Sequence, residues 1–184
     1  MKLEKWKILK SEYLYRETWF TVRKDTCETV EGKIISPYYV YEFPTWVTIL
    51  PITEDGKVIM VKQYRHAIGE IILEIPGGCV DNTDNNLEEA AGRELIEETG
   101  YNYSNMKYLG MISPNPSTNT NWMHMFIARG CRRVQELKLD HNEEIEVSLI
   151  SLQELKTLVK ENKIVQSMHV NTIMYGLMAM GEQL

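Results

Sequence analysis

Polar and apolar residues alternate in short runs through the first 44 residues of the chain, clearly at 19–23 and again at 38–41. A period of two is typical of strands with one buried face. Pro44 then marks a boundary. The pattern predicts a small antiparallel sheet over residues 1–44 and a second domain over residues 45–184.

The second region opens with two runs rich in β-branched residues, at 47–52 and 57–64. They are joined by Glu54-Asp55-Gly56, and Asp-Gly is a strong signal for the turn of a β-hairpin. The same kind of pattern predicts further strands at 71–75, 108–112, 122–128 and 145–150.

Helices are predicted between and after these strands. The polar loop 81–86 leads into a helix that ends at Gly100, which suits the left-handed position after a helix. Asn85 followed by Glu88 fits its N-cap and acidic partner. Two more helices are predicted at 151–162, where Ser151 and Glu154 form a capping box, and at 167–180. Because strands and helices do not alternate strictly, the fold class is α/β of the mixed kind, with helices on the faces of a mixed sheet.

Composition and charge exclude several classes of protein. The chain has 184 residues, with 20 Lys plus Arg against 26 Asp plus Glu and a formal net charge of −6. Such a surface repels nucleic acid. The three cysteines lack a CxxC pair and are expected to be reduced thiols. No run has the length of a signal peptide or membrane span, so we expect a cytoplasmic protein that binds neither nucleic acid nor membrane.

The helix that ends at Gly100 carries an unusual arrangement of acids. On a wheel of 100° per residue, five of its residues lie within about 60° of Glu94, namely Leu87, Ala90, Ala91, Glu97 and Glu98. Three carboxylates therefore share a stripe that should face the protein, where like charges repel and desolvation is costly. A divalent cation such as Mg²⁺ or Mn²⁺ would relieve this conflict. The alternative is a solvated acidic helix face.

The segment from Arg93 to Tyr101 resembles the second half of the Nudix box, REUxEExGU, at every fixed position. The full box is G-x5-E-x7-REUxEExGU, and this chain departs from it in the first half. Asp84 stands where the family has Glu, and eight residues instead of seven separate it from Arg93. The simplest interpretation is a one-residue insertion. Because the family's acid pairs with the box arginine, the resemblance implies an Asp84–Arg93 pair.

The resemblance also implies a Nudix-type mixed sheet between helices and hydrolysis of a nucleoside diphosphate linked to another group, with Mg²⁺ or Mn²⁺. It makes Glu94 and Glu98 metal ligands, and Glu97 an additional ligand. The carbonyl of Gly77 completes the set, and Arg93 belongs to the catalytic group. Clustered metal ions let an acidic protein bind an acidic substrate, because they supply the positive charge.

Residues 61–66, VKQYRH, and 74–78, EIPGG, are similar to the ADP-ribose pyrophosphatase branch of that family. The similarity implies that Arg65 contacts a substrate phosphate or the terminal ribose, since a guanidinium suits phosphate oxygens. It implies that Glu74 binds ribose hydroxyls or a loop backbone. The alternatives are an arginine paired with an acid at a strand end and, for Glu74, a surface acid.

In this branch a late mobile loop supplies another acid. Glu143 is the preferred ligand or base here and Glu144 the second choice, with His141 as an alternative base. Relatives also form homodimers in which the N-terminal sheet reaches the partner's site. Trp19 or Trp46 is the expected adenine-stacking residue. Most other aromatic residues near the N-terminus are expected in the core of the sheet, among them Phe20, Tyr38, Tyr39 and Tyr41.

The sequence therefore predicts Mg²⁺-dependent hydrolysis of a nucleoside diphosphate sugar, with ADP-ribose giving AMP and ribose 5-phosphate as the first choice. GDP-mannose or another sugar nucleotide is the second. A Nudix module that binds a nucleotide without hydrolysing it is the alternative from another class. The sequence contains neither a GxxxxGK[ST] phosphate-binding loop nor a GxSxG nucleophile turn. It therefore gives no support to a P-loop protein or a serine hydrolase.

Overall fold

The computed structural model describes residues 3–18, 20–139 and 144–184. The chain forms two compact units. The first comprises residues 1–44 and 113–122, and the second comprises residues 45–112 and 123–184. No helix within the described ranges is long and apolar enough to cross a membrane.

The first unit contains a three-stranded antiparallel sheet with β2 in the middle, as the alternating pattern predicts. Its strands are β1 (Lys7–Glu17), β2 (Phe20–Glu28) and β3 (Ile34–Glu42). β2 buries Val22, Asp25 and Cys27, whereas β1 is exposed along its whole length. Only a few positions of these strands are therefore buried.

The expectation that the aromatic residues form the core of this sheet is wrong. Phe20, Tyr39 and Tyr41 are 47%, 49% and 36% exposed, and Tyr38 is half-buried. Tyr38 and Tyr39 are neighbours on β3 and so point to opposite faces of the sheet, whereas Tyr41 pairs with Val22 and lies on the face of that residue. Neither face of the sheet is covered well enough to bury these rings. Trp46, in the second unit, is also only half-buried.

The segment 113–122 pairs with β3 inside the first unit. The backbone amide of Tyr41 donates to the carbonyl of Thr118 at 2.8 Å, and the Thr120 amide donates to the Tyr41 carbonyl at 3.0 Å. The Tyr38 hydroxyl donates to the Ser117 carbonyl at 2.7 Å. These bonds satisfy polar groups of a long connection that has no regular structure of its own.

The second unit is built on an eight-stranded mixed sheet, which confirms the predicted fold class. Its main order is β11-β5-β4-β10-β8, with β6 on β5, β7 on β4 and β9 on β10. β4 and β10 run parallel and the other pairs antiparallel. The strands are β4 (Trp46–Thr53), β5 (Val58–Arg65), β6 (Glu70–Glu74), β7 (Gly77–Cys79), β8 (Tyr101–Asn102), β9 (Asn105–Ile112), β10 (Met123–Arg133) and β11 (Ile145–Ile150).

Among the described residues, three helices cover the two faces of this sheet: α1 (Leu87–Thr99), α2 (Leu152–Lys160) and α3 (Ser167–Met180). Two buried apolar clusters lie on opposite sides of the strands. One packs α1 against β4, β5 and β10 through Val47, Ile49, Ile59, Leu95 and Phe126. The other packs α2 and α3 against the sheet through Leu50, Met60, Leu155, Ile173 and Leu177. The sheet is thus held between helices.

The N-cap of α1 lies one residue later than the sequence predicts. Asn86 is the cap, and its side-chain oxygen accepts from the Glu89 amide at 2.9 Å. Asn85 lies outside the helix, where its backbone and side-chain amides donate to the Glu89 carboxylate at 3.0 and 2.7 Å. Both residues are asparagines followed three positions later by Glu, so the local pattern fits either register. Gly100 ends the helix with a φ of 75°, as predicted.

Candidate active site

Two consecutive glycines let strand β7 fit between β4 and helix α1. Gly77 pairs with Thr48 and Gly78 with Val47. A Cβ atom on Gly77 would collide with the Val47 carbonyl and lie 2.9 Å from the Thr48 Cα. A Cβ atom on Gly78 would lie 2.5 Å from a carboxylate oxygen of Glu94. This strand therefore needs glycine because its neighbours leave no space for a side chain.

The three glutamates of α1 differ in their exposure. The side chain of Glu94 is 13% exposed and lies against Gly78. Glu98 is 3% exposed, and its Oε2 accepts a hydrogen bond from the Gly77 amide at 3.0 Å. The side chain of Glu97 is 32% exposed. The stripe therefore faces β7, with Glu98 deepest and Glu97 nearest to solvent.

Arg93 joins this stripe to the preceding loop. Its Nε and Nη2 donate to the two oxygens of Asp84, both at 3.0 Å, and Nη2 also donates to the Cys79 carbonyl at 2.8 Å. Its Nη1 donates to Glu94 and to Glu97, each at 3.0 Å. One guanidinium thus fixes the loop, the end of β7 and two of the acids.

The Asp84–Arg93 pair changes the titration of both groups. The carboxylate of Asp84 is 3% exposed, and its hydrogen bonds from Arg93 lower its pKa below the ordinary value. The same pair, with further help from Glu94 and Glu97, raises the pKa of Arg93. Both groups are therefore charged at neutral pH.

Arg65 and Glu74 form a second ion pair, at the end of β5 and β6. The Arg65 Nε and Nη2 lie 2.9 and 2.8 Å from Glu74 Oε2. Glu74 is completely buried, so the alternative of a surface acid is wrong, and its carboxylate cannot touch a ligand in this conformation. Burial raises its pKa, and Arg65 opposes that rise. The guanidinium of Arg65 is 41% exposed and remains accessible to a ligand.

Sequence analysis did not single out His169, which faces this pair from α3. Its Nδ1 lies 3.8 Å from Glu74 Oε1, and the side chain is 5% exposed. A lone histidine in an apolar helix gives no local signal, since the contact joins residues 95 positions apart in the chain.

Several predicted site residues lie elsewhere. Trp19, His141 and Glu143 fall outside the described residues. Glu144 is exposed and lines a cavity of about 330 Å³ together with Lys62, Gln63, Tyr64, Ile71, Ile145 and Glu146. Trp46 lies on β4, in register with Cys79 of β7 and Met123 of β10.

Comparison with known proteins assigns the family. A family model described as "NUDIX domain" matches residues 43–168. The chain belongs to the Nudix family. A second model, "Nucleoside diphosphate sugar hydrolase N-terminal domain", matches residues 6–41. The protein is therefore a Nudix hydrolase with an additional N-terminal module.

Relatives resemble this Nudix hydrolase over almost its whole length. The methanol dehydrogenase activator of Bacillus methanolicus is 29% identical, with 95% of this chain and 94% of the relative covered. The ADP-ribose pyrophosphatase of Bacillus subtilis is 28% identical over the same shares of the two chains. A crystal structure of ADP compounds hydrolase superposes with a TM-score of 0.85 at 25% identity, and each chain is fully covered.

The loop at 81–86 accommodates the extra residue by which this chain departs from the Nudix box. Counted back from Arg93, the box places its first acid at Asn85, which instead binds Glu89. Asp84, one residue earlier, accepts the hydrogen bonds of Arg93. The Asp84 carboxylate also accepts from the Asp81 amide at 2.8 Å, which closes the loop on itself. The one-residue insertion therefore leaves the acid–arginine pair in place.

Nudix hydrolases generally need a divalent metal ion, and the residues of this site fit one. One guanidinium is shared by the carboxylates of Asp84, Glu94 and Glu97, so negative charge exceeds positive charge before Glu98 is included. Carboxylate oxygens and a backbone carbonyl are suitable donors for a hard divalent cation. Among the described residues, no three His, Cys, Asp or Glu side chains form a ready-made metal cluster. The fit therefore lies in the donor chemistry and the excess of charge.

Proposed function

We propose that this Nudix hydrolase cleaves the pyrophosphate of ADP-ribose to AMP and ribose 5-phosphate with Mg²⁺ as its metal. The observation that carries the proposal is the placement of Glu94 and Glu98 against Gly77 and Gly78 of β7. The names of the Bacillus subtilis relative and of the solved structure support the adenosine diphosphate part of the substrate. The N-terminal match supports a nucleoside diphosphate sugar.

Glu94, Glu98 and the Gly77 carbonyl would hold the metal, with Glu97 as an additional ligand. When bound, Mg²⁺ neutralises the diphosphate and makes a water molecule more acidic, and Mn²⁺ tolerates the same donors. Carboxylates on one rigid helix are suited to this role because their spacing is fixed by the backbone.

The chain's own residues orient these donors and bind the substrate. Arg93 fixes the carboxylates of Glu94 and Glu97 from one side, and the Gly77 amide fixes Glu98 from the other. Arg65 presents its exposed guanidinium to a substrate phosphate, where parallel N–H groups match the oxygens. Both roles position groups before the reaction starts, so little reorganisation is needed during it.

In the reaction, the oxygen of a water molecule bonds to one phosphorus and the bridging P–O bond breaks. The proton of the water passes to a general base, and Glu143 is our first choice for that base. Glu144 and His141 are the alternatives, since all three are close together in the sequence just before β11. The assignment is tested by replacing each in turn and comparing turnover numbers.

The decisive experiment is a substrate panel. Purified protein is incubated with ADP-ribose, GDP-mannose and other sugar nucleotides in the presence of Mg²⁺, and the released nucleotide is measured. We expect AMP from ADP-ribose, loss of the signal with EDTA and recovery with excess Mg²⁺. A faster reaction with GDP-mannose would transfer the proposal to that substrate. No release from any member would favour a nucleotide-binding module.

The metal assignment is tested with Glu98→Gln. We expect turnover to fall at least about 100-fold, because the amide removes a charged ligand from the ion that stabilises the transition state. The melting temperature should stay near that of the wild type, since the amide still accepts from Gly77. Glu88→Gln, an exposed acid in the first turn of the same helix, is the control and should retain its rate. Full activity of the Glu98 variant would contradict the assignment.

We also infer a homodimer in which the N-terminal sheet takes part, with Trp46 or Trp19 stacking on the adenine. The support is the number of large apolar side chains exposed on β1, namely Ile8, Leu9, Tyr13, Leu14 and Tyr15. Many large apolar side chains exposed on one strand are typical of a protein–protein interface.

A further inference from the structure

A buried polar group connects three elements of the second unit. It consists of Arg65 at the end of β5, Glu74 at the end of β6 and His169 in the first turn of α3. Glu74 and His169 are 0% and 4% exposed. Of these three residues only Arg65 reaches the surface. Glu74 and His169 can therefore affect the binding of a ligand only by changing the position of the Arg65 guanidinium.

Two atoms of this group face each other without a hydrogen bond. Glu74 Oε1 and His169 Nδ1 are both buried and have no partner within the part of the chain that the structure describes. They lie 3.8 Å apart, which is beyond hydrogen-bond distance. Leaving a buried donor and a buried acceptor unpaired is unfavourable for both, and a small rotation of the imidazole would pair them. Contacts that support a reaction are often long in the free enzyme and tighten when the substrate binds.

The imidazole is neutral in this environment. Burial and the nearby Arg65 guanidinium lower the pKa of His169 to about 3. A neutral imidazole carries one N–H, on either nitrogen. Arg65 contacts the Glu74 carboxylate only at Oε2, by a hydrogen bond from Nε and an ion pair from Nη2. Gln63 is the other side chain that interacts with this carboxylate. Among the described residues Oε1 itself has no hydrogen-bond partner and can accept that N–H.

We propose that His169 is a positioning residue, whose Nδ1–H hydrogen-bonds to Glu74 Oε1 and so holds Arg65 in place for the substrate phosphate. The role of Arg65 rests on the proposed function, whereas the contact between His169 and Glu74 does not. Because Arg65 Nε and Nη2 both contact the Glu74 carboxylate, a shift of that carboxylate would move the guanidinium with it.

The test compares two substitutions that place an amide at different distances from the backbone. In His169→Asn the side-chain nitrogen occupies the place of Nδ1, and in His169→Gln it occupies the place of Nε2. We expect the asparagine variant to keep the KM for ADP-ribose within about twofold of the wild type. The glutamine variant should raise KM about tenfold with little change in kcat, because uniform binding of the phosphate is weakened. Equal KM values for the two variants would overturn the proposal.

A double substitution separates positioning from general stability. In an Arg65→Ala background, His169→Gln should leave KM unchanged, since the group through which it acts is gone. A further tenfold increase would show that His169 acts by another route and would contradict the proposal. Thermal melting of each variant accompanies the kinetics.

The tautomer of His169 can be measured by NMR in the wild-type protein, so this test needs neither enzymatic turnover nor a substituted protein. In the ¹⁵N-labelled wild-type protein, His169 should show a protonated Nδ1 and an unprotonated Nε2. The opposite tautomer would overturn the proposal. If no sugar nucleotide is hydrolysed, the proposed function fails while this measurement still decides the contact. If hydrolysis occurs and the tautomer is wrong, only the role of His169 fails.

Discussion

At the scale of single residues, Arg93 is the most connected side chain of the site. It donates hydrogen bonds to three carboxylates and one carbonyl and forms a longer ion pair with Asp81, so its position is fixed from several directions. Its strongest partner is Asp84, which accepts two parallel hydrogen bonds in a nearly closed environment. Such bidentate pairs are both stronger and more directional than single contacts. Loss of Asp84 should therefore disturb the acids that share the guanidinium.

We predict that Asp84→Asn lowers the free energy of unfolding at pH 7 by about 1.5–3 kcal/mol, since a charge-assisted pair becomes a neutral contact. The pKa of Asp84 is lower in the folded protein, so its contribution is present above the ordinary pKa of about 3.9 and is lost as the pH falls below it. The difference between the variant and wild type should therefore shrink in acid, which urea titrations at pH 7 and near pH 3 would measure. Asp81→Asn is the control: the Asp81 carboxylate is also paired with Arg93, at 3.7 Å, but its side chain is 56% exposed, so its loss should change the free energy of unfolding much less. A difference independent of pH would contradict the prediction.

The residues of the Nudix box could be predicted from the sequence because their chemistry depends on local spacing along one helix. Glu94 and Glu98 contact β7, and Glu97 shares the Arg93 guanidinium with Glu94, so the three acids lie on one side of the helix as the helical wheel indicates. The burial of Glu74 and its proximity to His169 could not be predicted, since they depend on tertiary packing between residues 95 positions apart in the chain. The roles of Glu143 and Trp19 stay predictions.

At the scale of elements, the close contact between β7 and α1 determines where the acids of the site lie. The three-residue strand has no side chains where it meets α1 and β4 at Gly77 and Gly78, so the helix approaches its backbone closely. The two glycines serve different neighbours, because Gly78 is next to the end of a flexible side chain and Gly77 is next to backbone. Their substitutions should therefore fail in different ways.

We predict that Gly78→Ala lowers activity at least about tenfold with a small change in melting temperature, since the methyl group displaces the Glu94 carboxylate. Gly77→Ala should instead destabilise the fold by about 1–3 kcal/mol, because the methyl group collides with the backbone of β4. Steady-state rates and thermal melts of both proteins check this. A Gly78 variant with the wild-type rate would argue against a role for Glu94.

Elements with strong end signals could be predicted closely. The expected ranges of α3 and β11 agree with the structure at both ends, and the capping box at Ser151 opens α2. The start of α1 was wrong by one residue because two adjacent asparagines compete for the cap. The exposure of the N-terminal aromatic rings could not be predicted, because alternation of polar and apolar residues indicates two faces of a strand but not which other elements pack on each face.

At the scale of the whole molecule, the exposed strand β1 is the feature that bears on assembly. Within the described parts of the chain, the 11-residue strand β1 pairs only with β2, so its other edge has no strand partner, and it exposes large apolar side chains. Soluble proteins usually shield such an edge. A second copy of the chain would shield it by burying those side chains.

We predict that the protein sediments as a dimer at micromolar concentration and that the double variant Ile8→Lys/Leu14→Lys sediments as a monomer. Lysines on the strand would bring like charges together in the interface. Val165→Lys, an equally exposed apolar residue in the second unit, is the control and should leave the dimer intact. A monomeric wild-type protein would contradict the inference.

The return of residues 113–122 to pair with β3 has a consequence for how this protein can be taken apart. Although the N-terminal module is contiguous in its own family match, the connection from β9 to β10 depends on it for backbone partners. Truncation before Thr45 would strand those polar groups in the remaining fragment. Because residues 113–122 of the first unit lie in the sequence between two parts of the second, the N-terminal module cannot be exchanged by itself as a continuous segment.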